Sequence, residues 1–272
     1  ILNFLDDIMK LKLSVPQWHY SMLLDTDRVA VFKEAIEQTV KDNDIVYDLG
    51  TGSGILAMVA SQKAKKVYAV ELDPITCMYA KENLKINDYE NIKKIELIEE
   101  DASEYNFKEQ ADVIIAELLD TALITEPQVP VLNSIIKKGY LKENGKIIPE
   151  KVYNTAQIVI AKMGHIYYDE EVISKSVSEE ILYDTIDFYK INKEEVSYNL
   201  KFKIDDNYKE GTNLGIRLNT YTELTNKIMS GSSPMLNPPL VIPIENPVIK
   251  DNILNITLSY KMGGDLDSIN VK

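Results

Sequence analysis

The chain has 272 residues, 45% of them apolar and 27% charged, which suffices for a buried core and excludes a disordered tail, a coiled-coil rod and a disulfide mini-scaffold. With Cys77 as the single cysteine and His19 and His165 as the only histidines, neither a thiolate cluster nor a His-rich metal site is expected. The 43 acids outnumber the 30 bases for a net charge of −13, which argues against duplex DNA, disfavours RNA and suits a protein substrate with a basic segment; the same acidity also serves solubility alone. No apolar run approaches the ~18 residues that span a bilayer. Acids interrupt the apolar start at residues 1–12 as they would not in a signal peptide, so a cytoplasmic protein without membrane contact is expected.

In chain order, residues 45–49, 67–71, 95–98, 113–116 and 146–148 are short β-branched runs that predict strands. Residues 55–63, 74–86 and 126–137 have the composition and apolar spacing of helices. Their alternation predicts an α/β class with a doubly wound, Rossmann-like parallel sheet. The texture changes near residue 150, where period-two segments at 199–204, 214–222 and 253–260 predict a smaller antiparallel β-barrel or sandwich. The expected organisation is a domain over residues 1–150, helical at its start, and a β-rich substrate domain over residues 151–272. A mixed-charge stretch at 169–195 is expected to hold a helix. Pro234, Pro238, Pro239, Pro243 and Pro247 are expected in an ordered loop between strands.

Between the first strand and its helix stands Asp48-Leu49-Gly50-Thr51-Gly52-Ser53-Gly54. A glycine-rich turn there lets backbone approach a ligand at the carboxyl edge of the sheet. The glycines fall at the first, third and fifth places, with Ile55 at the sixth, whereas a dinucleotide fingerprint needs the first, third and sixth. This spacing resembles that of class I S-adenosylmethionine-dependent methyltransferases. The next strand ends in Glu71, whose carboxylate can accept both hydroxyls of a ribose; a tight turn beside a solvated strand end is the plainer alternative. At the edge where that class holds adenine lies Glu99-Glu100-Asp101-Ala102-Ser103. Either Asp101 or Ser103 reaches the adenine amino group with the Ala102 N–H on the ring, or the segment is an ordinary acidic loop.

The fourth strand ends in Glu117, and Glu126 begins the next helix after a loop long enough to fold back. Two carboxylates converging there form an acidic clamp, whose natural ligand is a planar cation, because a guanidinium bonds carboxylates bidentately. The spacing resembles the double-glutamate loop of protein arginine methyltransferases. The wording Glu117-Leu118-Leu119-Asp120-Thr121-Ala122-Leu123-Ile124 is most similar to the monomethylating branch of that family. Upstream, Met22-Leu23-Leu24-Asp25-Thr26-Asp27-Arg28 resembles the family's helix that closes over the cofactor, and Gly145-Lys146-Ile147-Ile148-Pro149 its final strand.

The resemblance implies S-adenosylmethionine as cofactor. Asp48, Gly50, Thr51, Gly52, Gly54, Glu71, Asp101, Ala102 and Ser103 would bind it, with Arg28 on its methionyl carboxylate and Met22 packed near the sulfonium. Glu117 and Glu126 would be the catalytic pair and an arginine side chain the acceptor. By spacing alone, Met22 reads as a core residue and Arg28 as a surface ion pair. The chain also departs from the family. Its proline-rich segment, residues 233–241, has no His or Trp where the family carries a Thr-His-Trp loop, residues 1–17 hold only Phe4 of the expected aromatic helix, and no long dimerisation arm is legible. A monomer, or a dimer through another surface, is therefore expected. An RNA or small-molecule methyltransferase on the same fold, and a catalytically silent cofactor-binding interaction protein, are the alternatives.

Overall fold

The computed structural model describes residues 11–87, 89–162, 164–169, 174–205, 208–209 and 211–272, without the side chains of residues 17–19. Phe4 and the acidic start of the chain lie outside the described residues. Two helices come first, α1 (Gln17–Leu24) and α2 (Thr26–Thr39). Asp25 joins them: its N–H donates to the Ser21 carbonyl at the end of α1, and its Oδ1 accepts the Arg28 N–H at 3.1 Å. One of the amides left open at the start of α2 is thereby satisfied.

Strands and helices then alternate as β1 (Ile45–Leu49), α3 (Ile55–Ser61), β2 (Lys66–Glu71), α4 (Pro74–Ile86), β3 (Ile95–Glu99), β4 (Ala111–Ala116), α5 (Gln128–Lys137) and β5 (Leu141–Ile148). The five strands pair in parallel in the order β3-β2-β1-β4-β5. All five residues of β1 are buried, as a central strand covered on both faces requires. Asp73 starts α4 by accepting the Thr76 N–H at 2.7 Å, with Pro74 in the first turn where its missing N–H costs nothing. In this half, boundaries differ from expectation by two residues or more at four places: α3 ends at Ser61, β4 starts at Ala111, β5 reaches back to Leu141, and α5 starts at Gln128. Glu126 therefore lies in the turn before the helix and does not begin it. The reason is local, since Asp120 captures the N–H groups of Thr125 and Glu126 and offers that backbone an alternative to the helix.

The remaining strands are β6 (Lys151–Ile160), β7 (Tyr167–Tyr168), β8 (Ile181–Asp187), β9 (Glu195–Lys203), β10 (Leu214–Thr225), β11 (Ile228–Ser230), β12 (Leu240–Pro243), β13 (Ile249–Lys250), β14 (Ile253–Lys261) and β15 (Asn270–Val271). They form two antiparallel sheets, one ordered β7-β12-β10-β6-β8 with β11 on β10, the other β13-β14-β15 with β9 on β14. The helix expected within residues 169–195 is absent from the described part of that stretch, which instead forms β8. β8 is an edge strand on β6, and charged side chains on an edge guard it against further pairing. The prolines fall largely between strands, with Pro243 closing β12. One apolar core runs through both halves and includes Val29, Ile115, Leu123, Leu218 and Met262. Among the described residues no helix is long and apolar enough to cross a membrane.

Candidate active site

The connections reverse direction between β1 and β4, so the loops leaving those strands part and open a crevice at the carboxyl edge of the sheet. Leu49 and Ala116 are register partners there, which starts the glycine loop and Glu117 side by side. A cavity of about 580 Å³ fills the crevice, a volume within the range of small-ligand sites.

Gly50, Thr51, Gly52 and Ser53 line one end of it. Gly50 has φ +73°, and a Cβ there would lie 2.3 Å from Leu118 Cδ2, so both conformation and space demand glycine. The Gly52 N–H donates to Glu71 Oε2 and the Asp73 N–H to Glu71 Oε1, each at 2.9 Å, which fixes the Glu71 carboxylate beside the loop. Asp48 and Gly54, expected among the ligand contacts, do not line the cavity. Asp48 is buried beneath the loop and accepts the Thr51 hydroxyl at 2.6 Å. Burial pushes its carboxyl up to about 7, against the opposing bonds from Thr51 and the Ala57 N–H. Gly54, at φ +83°, is the residue that turns the loop into α3.

Asp101, Ala102 and Ser103 form the wall beyond Leu72, with Asp101 Oδ1 accepting the Ser103 N–H at 2.8 Å. Met22 and Leu23 of α1 and Arg28 of α2 line the cavity too. Arg28 is no surface ion pair: its side chain is 8% exposed and its Nη1 pairs with Glu117 Oε2. Nη2 donates to the Met22 carbonyl at 3.1 Å, while Nε is buried without a partner. Burial pushes the Glu117 carboxyl up to about 7, Arg28 opposing and Glu126 and Asp48 adding to the rise. Burial raises Glu126 as well. Both glutamates border the same cavity.

The loop between them is tied at several points. The Leu118 N–H donates to Gln128 Oε1 at 3.0 Å, and Asp120 Oδ2 accepts the Thr125 N–H at 2.8 Å. Burial pushes Asp120 up to about 6. Ala122 and Leu123 have φ +59° and +60°, a left-handed conformation that costs a non-glycine residue roughly 1–2 kcal/mol.

Met235, Gly263 and Tyr168 escape a reading of the sequence. Met235 borders the cavity, and its N–H together with the Ser233 hydroxyl donates to Asp25 Oδ2, at 2.9 and 2.5 Å. Gly263 also borders it: φ is +65°, a Cβ would lie 2.6 Å from Pro130 Cγ, and its N–H donates to the Leu123 carbonyl at 2.9 Å. Tyr168, opposite Leu240 in the sheet, is raised by burial and by the carboxyls of Asp120 and Glu126 beside it. The pair Gly263-Gly264 is a legible turn signal; Met235 and Tyr168 carry none.

The donor set fits S-adenosylmethionine. Glu71 suits a ribose diol, the glycine loop allows close backbone approach, Leu72 and Ile55 offer apolar surface, and the unpartnered Nε of Arg28 suits a carboxylate.

The family model for ribosomal protein L11 methyltransferase (PrmA) matches residues 28–175. An uncharacterized protein of Methanocaldococcus jannaschii is 60% identical over 97% of this chain and 99% of its own. The arginine N(omega)-methyltransferase of Streptomyces achromogenes subsp. streptozoticus is 28% identical over 50% of this chain and 38% of its own. In fold, the chain is similar to the Trypanosoma brucei PRMT1 enzyme-prozyme heterotetrameric complex with AdoHcy, with TM-score 0.73, 17% identity and coverage of 90% of this chain and 87% of that one. Fold, site and the family match together define an S-adenosylmethionine-dependent methyltransferase with a parallel Rossmann-like sheet and an antiparallel β part. The chain belongs to the ribosomal protein L11 methyltransferase (PrmA) family.

Proposed function

We propose that the enzyme methylates a protein side-chain nitrogen, that of arginine, within a basic segment attracted by the net charge of −13. The observation that carries the acceptor is that Glu117 and Glu126 border one cavity with Glu71 and the glycine loop, and that Glu117 already holds a guanidinium, that of Arg28. In this reading the part over residues 1–150 holds the cofactor and the part over residues 151–272 presents the acceptor. Glu71 accepts the ribose hydroxyls. Asp101 or Ser103 meets the adenine amino group, with the Ala102 N–H on the ring; Arg28 takes the methionyl carboxylate and Met22 packs beside the sulfonium. Gly50, Thr51 and Gly52 approach through backbone, while Asp48 and Gly54 shape the loop from behind.

S-adenosylmethionine supplies, when bound, an electrophilic methyl group on a sulfonium. The residues of the chain do the aligning, which for well-oriented reactants is worth ~7–11 kcal/mol. Glu117 and Glu126 bond the edge of the guanidinium and aim one nitrogen along the line of transfer. A group with a pKa near ~13.8 is a poor nucleophile, so its proton must leave as the new N–C bond forms and the S–C bond breaks. Burial raises both carboxyls above the usual carboxylate range, Glu117 to about 7, which suits them to take it.

A second reading rests on the family match over residues 28–175: the acceptor is an amino group of a ribosomal protein, since paired carboxylates also suit an ammonium. Labelled methyl transfer into cell protein, followed by complete hydrolysis, separates the two. Labelled methylarginine is expected. Methyllysine supports the second reading, and label in nucleosides overturns both.

A further inference from the structure

The loop carrying the two glutamates holds its shape only with outside support, because Ala122 and Leu123 both stand in the left-handed region and both are fully buried. Residues with a Cβ persist there when their surroundings over-determine them. At Ala122 the support is a relay of hydrogen bonds from the antiparallel half. The Ala122 N–H donates to Thr220 Oγ1 at 2.8 Å, and the Thr220 hydroxyl donates to Asn154 Oδ1, also at 2.8 Å. Thr220 is 1% exposed and Asn154 0%. They are register partners on β10 and β6, the longest pairing of the larger antiparallel sheet, so the relay stands on a rigid base. The neighbouring residues are tied in the same direction: the Thr121 hydroxyl donates to the Pro238 carbonyl at 2.6 Å, and the Leu123 and Ile124 carbonyls accept the N–H groups of Gly263 and Gly264 at 2.9 and 2.8 Å.

We propose that Thr220 is a positioning residue for methyl transfer: its hydroxyl, oriented by Asn154, holds the turn at Ala122 and thereby sets Glu126 against Glu117. The inference rests on the reading of those glutamates as the acceptor pair. It gives the antiparallel half a second task, that of aligning side chains it does not itself supply. Thr220 lies outside the lining of the cavity, so its effect passes through the loop.

Thr220→Val keeps the shape and removes the hydroxyl. Turnover at saturating S-adenosylmethionine is expected to fall about 10- to 100-fold, the scale of a misplaced catalytic group, while calorimetric affinity for S-adenosylhomocysteine stays at the parent value. Thr220→Ser restores the hydroxyl and turnover. Ala122→Gly added to Thr220→Val recovers much of the loss, because glycine adopts the left-handed conformation without support. Thr220→Ala, a second removal of the hydroxyl, covers the case in which valine does not fold. Parent-like turnover in a folded Thr220→Val or Thr220→Ala protein overturns the proposal, as does a loss that tracks the fall in Tm and is not relieved by Ala122→Gly. Glu126→Gln in parallel separates the two claims: if it turns over like the parent, the glutamate reading itself has failed.

Discussion

In the parallel half, many of the groups bordering the cavity stand at the ends of strands, with Glu71 closing β2, Glu117 following β4, Asp101 following β3 and the glycine loop following β1, while Arg28 reaches in from α2. In the antiparallel half they come from turns, Met235 between β11 and β12 and Gly263 after β14. The first half offers charged side chains. The second acts largely through backbone N–H groups and buried hydroxyls, at Met235, Gly263, Gly264 and Thr220. The difference separates the charged groups concentrated at one sheet edge from the shaping of the loop that bears Glu117 and Glu126.

The sharpest way to break this comparison is at the pair itself. Glu117→Gln and Glu126→Gln should each lower turnover by at least ~10²-fold, the scale of a lost acid–base or charge-stabilising group, with cofactor affinity near the parent value. The reverse pattern is expected at Glu71→Ala. Losing hydrogen bonds to a charged acceptor costs roughly 1.5–3 kcal/mol of cofactor binding, and turnover at saturation should survive; unchanged affinity by calorimetry would contradict the ribose assignment.

The pH profile sharpens the same division. Burial holds Glu117 near 7, so its ionised form is lost as pH falls through that value. Transfer should then decline about tenfold per unit on the acid side, if the carboxylate form is required. An acid limb confined below pH 5 would remove Glu117 as the titrating group. The smallest effect expected is on stability, at Asp48. Its folded value, about 7, exceeds the ordinary aspartate value of 3.8, so its contribution is fully present below about 4 and is lost as pH rises through about 7. Asp48→Asn should therefore melt at a progressively higher temperature relative to the parent between pH 5 and pH 8; a pH-independent difference in Tm would contradict the buried, protonated state.

Much of the parallel half was legible because β-branched runs, helical apolar spacing and the glycine spacing act locally. That Glu117 and Glu126 border one cavity was legible too, since they belong to one loop. What escaped depends on distance in the chain. Asp25 caps α2 through one oxygen, and its other oxygen holds Ser233 and Met235, some two hundred positions away. The resemblance places Arg28 on a ligand carboxylate, and no spacing signals that Glu117 is its partner in the fold. The 169–195 stretch misled because its mixed charges lie mostly outside β8, which itself holds only Asp184 and Asp187, so the composition of the whole stretch hid the short strand within it. Asp48 and Gly54 stand in the glycine motif but serve it from beneath, a distinction only the packing of α3 and β1 reveals.

The most direct test of the account is a double-mutant cycle on methylarginine formation with the parent, Glu117→Gln, Glu126→Gln and the double variant, at saturating S-adenosylmethionine. Two carboxylates acting on one guanidinium form a unit, so the double variant should be little slower than either single one. Near-parent turnover in Glu126→Gln, or losses that multiply in the double variant, would contradict the shared clamp.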